Sequence, residues 1–191
     1  KTTKIGVHHS GPLSPTTPYS SSRMLTEASI NTAHKARDFN LSQLGFYIGY
    51  NVVIYPDGTM KQYRLLGEQT AAATGSNFDT FHICLIGNFT ARDRGIDGRQ
   101  PVEYPTNAQV ATLTKIMRAL LDGKPQGAGI QVAKGQDFAF TAYNVFPHRI
   151  LQPNHTSCYG SLLDDNWARN IAFDYLKEQN KHIEGAPPAT D

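Results

Sequence analysis

The sequence predicts a single-domain α/β fold in which helices flank a central mixed β-sheet. The chain has 191 residues, which is enough to bury one substantial hydrophobic core and argues for one domain. Short β-prone runs alternate along it with segments of helical periodicity. Two of the β-prone runs are joined by the tight turn Pro56-Asp57-Gly58-Thr59, which makes that pair an antiparallel hairpin. The sheet is therefore expected to be mixed rather than purely parallel.

The predicted strands fall in four regions, the second of which is a hairpin of two strands: residues 4–9, residues 46–55 with their return at 60–65, residues 81–89 and residues 143–146. In the first of them, Ile5 and Val7 share one face. The third is apolar almost throughout, which is typical of a central strand covered on both faces. Cys84 lies within it and is expected to be a buried, unreactive thiol.

Three segments have helical patterns: residues 24–37, 106–122 and 162–180. The second is the clearest because Thr106 can cap it, Gln109 can complete a capping box, and Gly123 can end it. Its apolar positions fall on one face, which indicates core packing: Val110, Leu113, Ile116, Met117, Leu120 and Leu121. His34 lies on the first helix and is expected to be a surface or packing histidine.

The composition narrows the classes of partner. The chain carries 18 basic and 16 acidic side chains, with a formal net charge of +2. That balance argues against nucleic-acid binding, whereas a slightly basic chain suits an anionic polymer such as a cell wall. No apolar run approaches the roughly 20 residues that a membrane helix needs. A compact single domain also predicts a monomer.

The polar segments and the two ends complete the domain prediction. Residues 11–22 and 92–100 are expected to be loops. Residues 1–183 are expected to form the domain, and residues 184–191, rich in Pro and Ala, a tail or the start of a linker. No signal peptide is visible, but the chain begins at Lys1 without a Met, which is compatible with a leader that was removed.

The stretch Pro147–Cys158 is the strongest candidate for a chemical site. It contains His148 and one of only two cysteines, and its prolines predict a shaped loop rather than a helix. An imidazole and a thiolate are good zinc ligands. A third ligand is available in the first strand, where alternation places His8 and His9 on opposite faces, so that only one can face the site. Two nitrogens and one sulfur would leave an open fourth position, as in catalytic zinc sites. The ligands would lie at strand ends and in the following loops, where α/β sheets usually place their chemistry.

Five short blocks follow one another in an order that is typical of one known family: Val7-His8-His9-Ser10, Gly49-Tyr50-Asn51-Val52-Val53-Ile54, Asp57-Gly58-Thr59, Ile83-Cys84-Leu85-Ile86-Gly87-Asn88-Phe89, and His148-Arg149 with Cys158. Through these blocks the chain resembles the zinc-dependent, amidase-2-like N-acetylmuramoyl-L-alanine amidases, the family shared by small phage lysins and peptidoglycan recognition proteins. The blocks span residues 7–158, and their order is more specific than any single block.

The resemblance implies one zinc ion per chain, bound by His8 rather than His9 and by His148 and Cys158. It implies hydrolysis, by zinc-activated water, of the amide between N-acetylmuramic acid and L-alanine in bacterial peptidoglycan. Within the family, the compact single domain favours a phage-type endolysin, which would be bacteriolytic and antimicrobial. Such an enzyme would stay in the host cytoplasm until release, or be secreted if a leader was removed, and would act on the cell wall.

The resemblance also implies catalytic roles for two hydroxyl groups, those of Tyr50 and Thr156, both of which could stabilise an oxyanion.

Two departures from the family pattern stand out. The chain has Cys158-Tyr159-Gly160 where the family usually has Cys-Pro-Gly, and the segment before it is somewhat long and contains His155. His155 is either a solvent-facing loop residue or an accessory ligand or proton donor. The leaving amine could receive its proton from His155 or from the water through Tyr50.

Three other functions are compatible with the same residues. The first is a non-catalytic peptidoglycan-binding module, but such modules typically lose the cysteine ligand that Cys158 provides. The second is a Cys/His peptidoglycan peptidase with Cys158 as nucleophile. The third is a structural zinc site, which would need a fourth protein ligand and lacks the usual paired cysteines. A disulfide between Cys84 and Cys158 would exclude zinc altogether.

Overall fold

Five strands of the described part of the chain form one sheet: β1 (Lys4–His9), β2 (Val52–Ile54), β3 (Met60–Gln62), β4 (Thr80–Leu85) and β5 (Val145–Pro147). The structure is a computed structural model and describes residues 1–11, 22–90 and 103–183. The strands lie in the order β3-β2-β4-β1-β5. β2 and β3 are antiparallel, and the other neighbouring pairs are parallel. The predicted mixed sheet is confirmed, with β4 at its centre.

Within the described residues, four α-helices accompany the sheet: α1 (Glu27–Ala36), α2 (Asn107–Leu121), α3 (His148–Leu151) and α4 (Trp167–Ile183). Short 3₁₀ turns lie at Ser22–Met24, Pro125–Ala128 and Ala142–Asn144. The predicted capping box of α2 is present, because the Thr106 hydroxyl accepts from the Gln109 N–H while the Gln109 side chain accepts from the Thr106 N–H. The buried Gln109 amide also donates to the carbonyls of Ile54 and Ile86, which fixes α2 against the sheet.

The sheet separates two layers of buried side chains. Ile5, Val7 and Ile83 belong to the larger layer, which includes the apolar faces of α2 and α4. Val53 and Cys84 belong to the smaller layer, which includes Ile30 of α1. Because side chains alternate along a strand, His8 and His82 lie on the same face as Cys84. The site therefore forms on the α1 side of the sheet.

The predicted strand at residues 46–55 is wrong for its first half, since only Val52–Ile54 pairs as β2. Side chains form hydrogen bonds with the backbone N–H and C=O groups that a longer strand would need for pairing. The Gly49 N–H donates to Nδ1 of His34 at 2.9 Å, and the Ile48 carbonyl accepts from Nε of Arg64 at 2.8 Å. The predicted return of the hairpin is present but shorter, at Met60–Gln62.

The expectation that His148 lies in a loop rather than a helix is also wrong. His148 opens the single turn of α3, with Pro147 directly before it. Proline is tolerated at a helix start because the first N–H groups have no partner within the helix. The turn ends at Gln152, because the following Pro153 disfavours helical geometry in the residue before it. The prolines therefore delimit a short helix.

The last helix also begins later than predicted, at Trp167 rather than at residue 162. Most of the predicted loops at residues 11–22 and 92–100, and the tail at 184–191, lie outside the described residues. None of the helices described here has the length and apolarity that crossing a bilayer would require.

Candidate metal centre

Three side chains from separate parts of the chain meet at the carboxyl ends of β1 and β5. His8 lies on β1, His148 is the first residue of α3, and Cys158 lies in the loop between α3 and α4. Their ligand atoms lie within 4.8 Å of one another. His8 and Cys158 are buried and His148 is half-buried. In the described part of the chain, this is the one group of three or more His, Cys, Asp or Glu side chains that is arranged to hold a metal ion.

Strand pairing and Arg149 bring these three residues together. Val7 pairs with Pro147 between β1 and β5, so His148 emerges directly beside His8. The Arg149 N–H donates to the Cys158 carbonyl at 2.8 Å. Its guanidinium donates to the carbonyls of Gly160 and Leu163, which ties α3 to the loop that carries Cys158. The His-Arg step therefore has a structural part in assembling the site.

The unusual Cys158-Tyr159-Gly160 sequence is accommodated by close packing. Tyr159 is fully buried, and its hydroxyl donates to the Asp164 carbonyl at 2.7 Å. Gly160 has φ +103°, and a Cβ there would lie 2.3 Å from the Phe89 carbonyl oxygen. Only glycine meets both conditions. Tyr159 and Gly160 thus hold the loop that carries Cys158 against the core.

Each of the three candidate ligands has a second polar partner. Nε2 of His8 lies 2.8 Å from Nδ1 of His82, and Nε2 of His148 lies 3.1 Å from Oε1 of Gln152. The His9 N–H donates to Sγ of Cys158 at 3.3 Å. Both imidazoles are therefore left with Nδ1 for a metal ion. Partners of this kind are what orient ligands in metalloproteins.

The protonation of the three residues fits a zinc ion. Burial lowers the pKa of His8 well below its usual value, and burial also lowers the pKa of His148, so both imidazoles are neutral near pH 7. Burial raises the pKa of the Cys158 thiol to about 12, so its thiolate requires a cation beside it. Two neutral imidazoles and a metal-stabilised thiolate form a zinc donor set with one position left open.

The same pKa argues against Cys158 as a nucleophile. Nucleophilic cysteines have a lowered pKa, whereas burial raises that of Cys158. Cys84 is buried in β4, and neither cysteine forms a disulfide. The disulfide that would have excluded zinc is therefore not present.

A cavity of about 320 Å³ opens over the cluster, lined by His9, Ser10, Gly11, Arg37, Tyr50, His148, His155, Thr156, Ser157 and Cys158. A more apolar pocket of about 180 Å³ adjoins it on the side of α1, and a polar groove of about 180 Å³ adjoins it at residues 71–74. Arg37 lines all three spaces. The group of candidate ligands therefore faces an extended cleft, and the basic Arg37 side chain lies where the three spaces meet.

Tyr50 lies between the cluster and the pocket. Its ring centroid is 5.1 Å from that of His8. Burial raises the pKa of Tyr50 well above its usual value, and the nearby Cys84 and Cys158 raise it further. The phenol therefore stays protonated near neutral pH. In that state Tyr50 is a hydrogen-bond donor and not a base.

The other residues singled out in the sequence also lie near the cluster or pack beside it. The Thr156 hydroxyl accepts from the Cys158 N–H at 3.1 Å, which leaves its own proton to donate. His155 is exposed on the rim of the cavity. His9 accepts from the Phe89 N–H through Nδ1, and His34 is a buried packing histidine.

Sequence reasoning missed His82 and Gln152. A signal for His82 was available, because it is the one imidazole inside the apolar run of β4. A signal for Gln152 was its position four residues after His148, which places the two side chains on one helical face. Arg37 gave no signal, because its place over the cleft depends on how α1 packs.

No protein-family model matches the chain, and no curated protein matches its sequence. Solved structures do match. The endolysin N-acetylmuramoyl-L-alanine amidase LysCS from Clostridium intestinale URNW is 21% identical over 93% of this chain and 82% of its own, with a TM-score of 0.54. Drosophila PGRP-LB, a peptidoglycan recognition protein, is 20% identical over 82% of this chain and 74% of its own, with a TM-score of 0.53. The chain therefore has the amidase-2-like fold that N-acetylmuramoyl-L-alanine amidases share with peptidoglycan recognition proteins.

Proposed function

We propose that this chain is a zinc-dependent N-acetylmuramoyl-L-alanine amidase that cleaves the amide between N-acetylmuramic acid and L-alanine in peptidoglycan. The observation that carries the proposal is the cluster of His8, His148 and Cys158, with ligand atoms within 4.8 Å of one another beneath an open cavity. The fold supports it, because solved structures with this fold include N-acetylmuramoyl-L-alanine amidases.

His8, His148 and Cys158 would hold the zinc ion, and the side chains of His148 and Cys158 line the cavity. When bound, zinc lowers the pKa of coordinated water to about 7 and polarises the amide carbonyl as a Lewis acid. The protein itself would hold the three zinc ligands in fixed positions. Both imidazoles and the sulfur already have fixed second partners, so little reorganisation accompanies the reaction.

Tyr50 would stabilise the oxyanion that develops when the amide carbon is attacked. Its raised pKa keeps a proton on the phenol, and its ring lies beside His8 at the floor of the cavity. Thr156 is the second donor, since its hydroxyl oxygen is fixed by the Cys158 N–H. Donors that are held in place before the reaction stabilise developing charge most effectively.

The departing amine needs a proton, and His155 is the side chain available to supply it. His155 lies on the exposed rim of the cavity, where its imidazole can reach the leaving amine of a bound substrate. Arg37 would pair with a carboxylate of the stem peptide, because it lines the cavity and both adjoining spaces. His155 would thus deliver a proton, and Arg37 would align the substrate.

The catalytic reading is preferred over a non-catalytic peptidoglycan-binding module because binding alone needs no thiolate. Here Cys158 is held by the backbone N–H of His9, within reach of both imidazoles. Within the amidases, we propose a phage-type endolysin that acts as a monomer on the bacterial cell wall, with residues 1–183 as its catalytic domain.

Digestion of purified peptidoglycan tests the proposed reaction. We expect new amino-terminal L-alanine on the released peptides and no new reducing sugar ends, because the attacked atom is an acyl carbon. A chelator should stop the release and added zinc should restore it. A glycosidase would need a pair of carboxylates at the scissile bond, and neither Asp nor Glu lines this cavity among the described residues. New reducing ends, or wall binding without any cleavage, would show that the proposed function is wrong.

A further inference from the structure

We propose that His82 is a positioning residue that holds His8 in the one tautomer that can bind the metal through Nδ1. The inference rests on the proposed zinc site and adds a residue to it. His82 lies on β4, next to β1, and its side chain is fully buried. It does not belong to the group of three candidate ligands.

His8, His82 and the Ser76 carbonyl form a row of two hydrogen bonds, and the carbonyl fixes the direction of both. Nε2 of His82 lies 3.0 Å from the Ser76 carbonyl oxygen, which can only accept. His82 therefore carries its proton on Nε2, and its Nδ1 is an acceptor. That Nδ1 lies 2.8 Å from Nε2 of His8, so His8 must donate through Nε2. The lone pair of a neutral His8 then lies on Nδ1, which is the atom left for a metal ion.

The neighbouring strand β1 leaves space for the His82 ring because it has a glycine at residue 6. Gly6 pairs with His82 in the register between β1 and β4. A Cβ on Gly6 would lie 2.8 Å from Nδ1 of His82 and 2.9 Å from Cδ1 of Leu151. A side chain at residue 6 would therefore displace the ring at the atom that accepts from His8. The His82 backbone is fixed as well, because its N–H donates to Oδ1 of Asn51 at 2.7 Å.

His148 provides a contrast within the same site. Its partner Gln152 is only half-buried, so water could replace the lost amide oxygen in a Gln152 variant. The His8–His82 pair is buried, and no solvent can take the place of the imidazole. Loss of an acceptor there leaves the His8 N–H without a partner and the ring free to choose the other tautomer. The effect on zinc binding should therefore be larger at His82 than at Gln152.

The first test is a competition titration of the zinc affinity against a chelator in two His82 variants. His82→Phe keeps a ring of similar size and removes the acceptor, and we expect zinc affinity to fall by about 10- to 100-fold. His82→Asn restores an amide oxygen near the position of Nδ1, and we expect it to recover most of that loss. Ile83→Val is the matched control, since Ile83 is buried in the same strand on the opposite face and should bind zinc as the parent does. Circular dichroism confirms that each variant is folded.

The second test reads the tautomer of His8 directly by long-range ¹H–¹⁵N NMR. We expect the proton on Nε2 in both the zinc-free and the zinc-loaded protein, and metal coordination through Nδ1. A proton on Nδ1 of His8, or a His82→Phe variant with zinc affinity within about twofold of the parent, would overturn the inference. Failure of the proposed function would look different, because the parent protein itself would then bind no zinc or cleave no peptidoglycan. The zinc-free His8 tautomer would still decide the role of His82.

Discussion

His148→Ala should abolish peptidoglycan cleavage while leaving a folded protein. The substitution removes one of the three proposed zinc ligands, and His148 also lines the cavity. The metal is expected to contribute several kcal/mol to the barrier reduction, so the rate should fall by at least about 10³-fold. Folding should be retained because His148 is half-buried at the start of α3 and belongs to neither core layer. Release of soluble peptide and zinc content measured on the same sample would check both effects.

Ile150→Ala is the control for this experiment. Ile150 lies on the same helical turn but is 44% exposed and does not line the cavity. It should keep both zinc and activity. If the His148→Ala protein retained stoichiometric zinc and turned over at the parent rate, His148 would not be a zinc ligand.

Tyr50→Phe should lower the turnover rate by about 10²-fold or more while zinc remains bound. The change deletes only the hydroxyl, which is the donor proposed for the oxyanion, and it keeps the ring that packs 5.1 Å from His8. Because the donor acts on charge that develops during attack, we expect kcat to fall more than KM rises. Steady-state kinetics on soluble muropeptides and a zinc assay would separate the two effects.

Tyr55→Phe provides the matched hydroxyl deletion away from the cavity. The Tyr55 hydroxyl is paired with that of Tyr63 at 2.6 Å and does not line the cavity, so its loss should leave turnover near the parent value. If Tyr50→Phe were as active as Tyr55→Phe, Tyr50 would be only a packing residue.

The parts of the fold that were predicted correctly from the sequence are those that depend on residues close to one another in the chain. The capping box of Thr106 and Gln109 involves residues three apart, and β4 lies in a run that is apolar almost throughout. The hairpin turn is local too, since Oδ1 of Asp57 accepts from the Thr59 N–H within the turn itself. Each of these signals is complete within a few residues, so no knowledge of the tertiary structure is needed to read it.

The missed features depend on contacts between distant residues. Residues 46–51 have strand propensity, but His34 and Arg64 bind backbone groups of this segment, and the strand begins only at Val52. His82 gains its role only through the register of β4 against β1. Likewise, the helical turn at His148 depends on where β5 ends. Propensity describes a residue in isolation, and these cases are decided by long-range pairing.

Zinc K-edge X-ray absorption of the purified protein tests the central claim most directly, because it reads the atoms around the metal. The account predicts one zinc per chain with one sulfur at about 2.3 Å and nitrogen or oxygen neighbours at about 2.0–2.1 Å. The sulfur would be Cys158, and the nitrogens His8 and His148. In Cys158→Ser the sulfur shell should disappear. A zinc-loaded parent protein without a sulfur neighbour, or a parent protein with no stoichiometric zinc, would contradict the assignment of this centre.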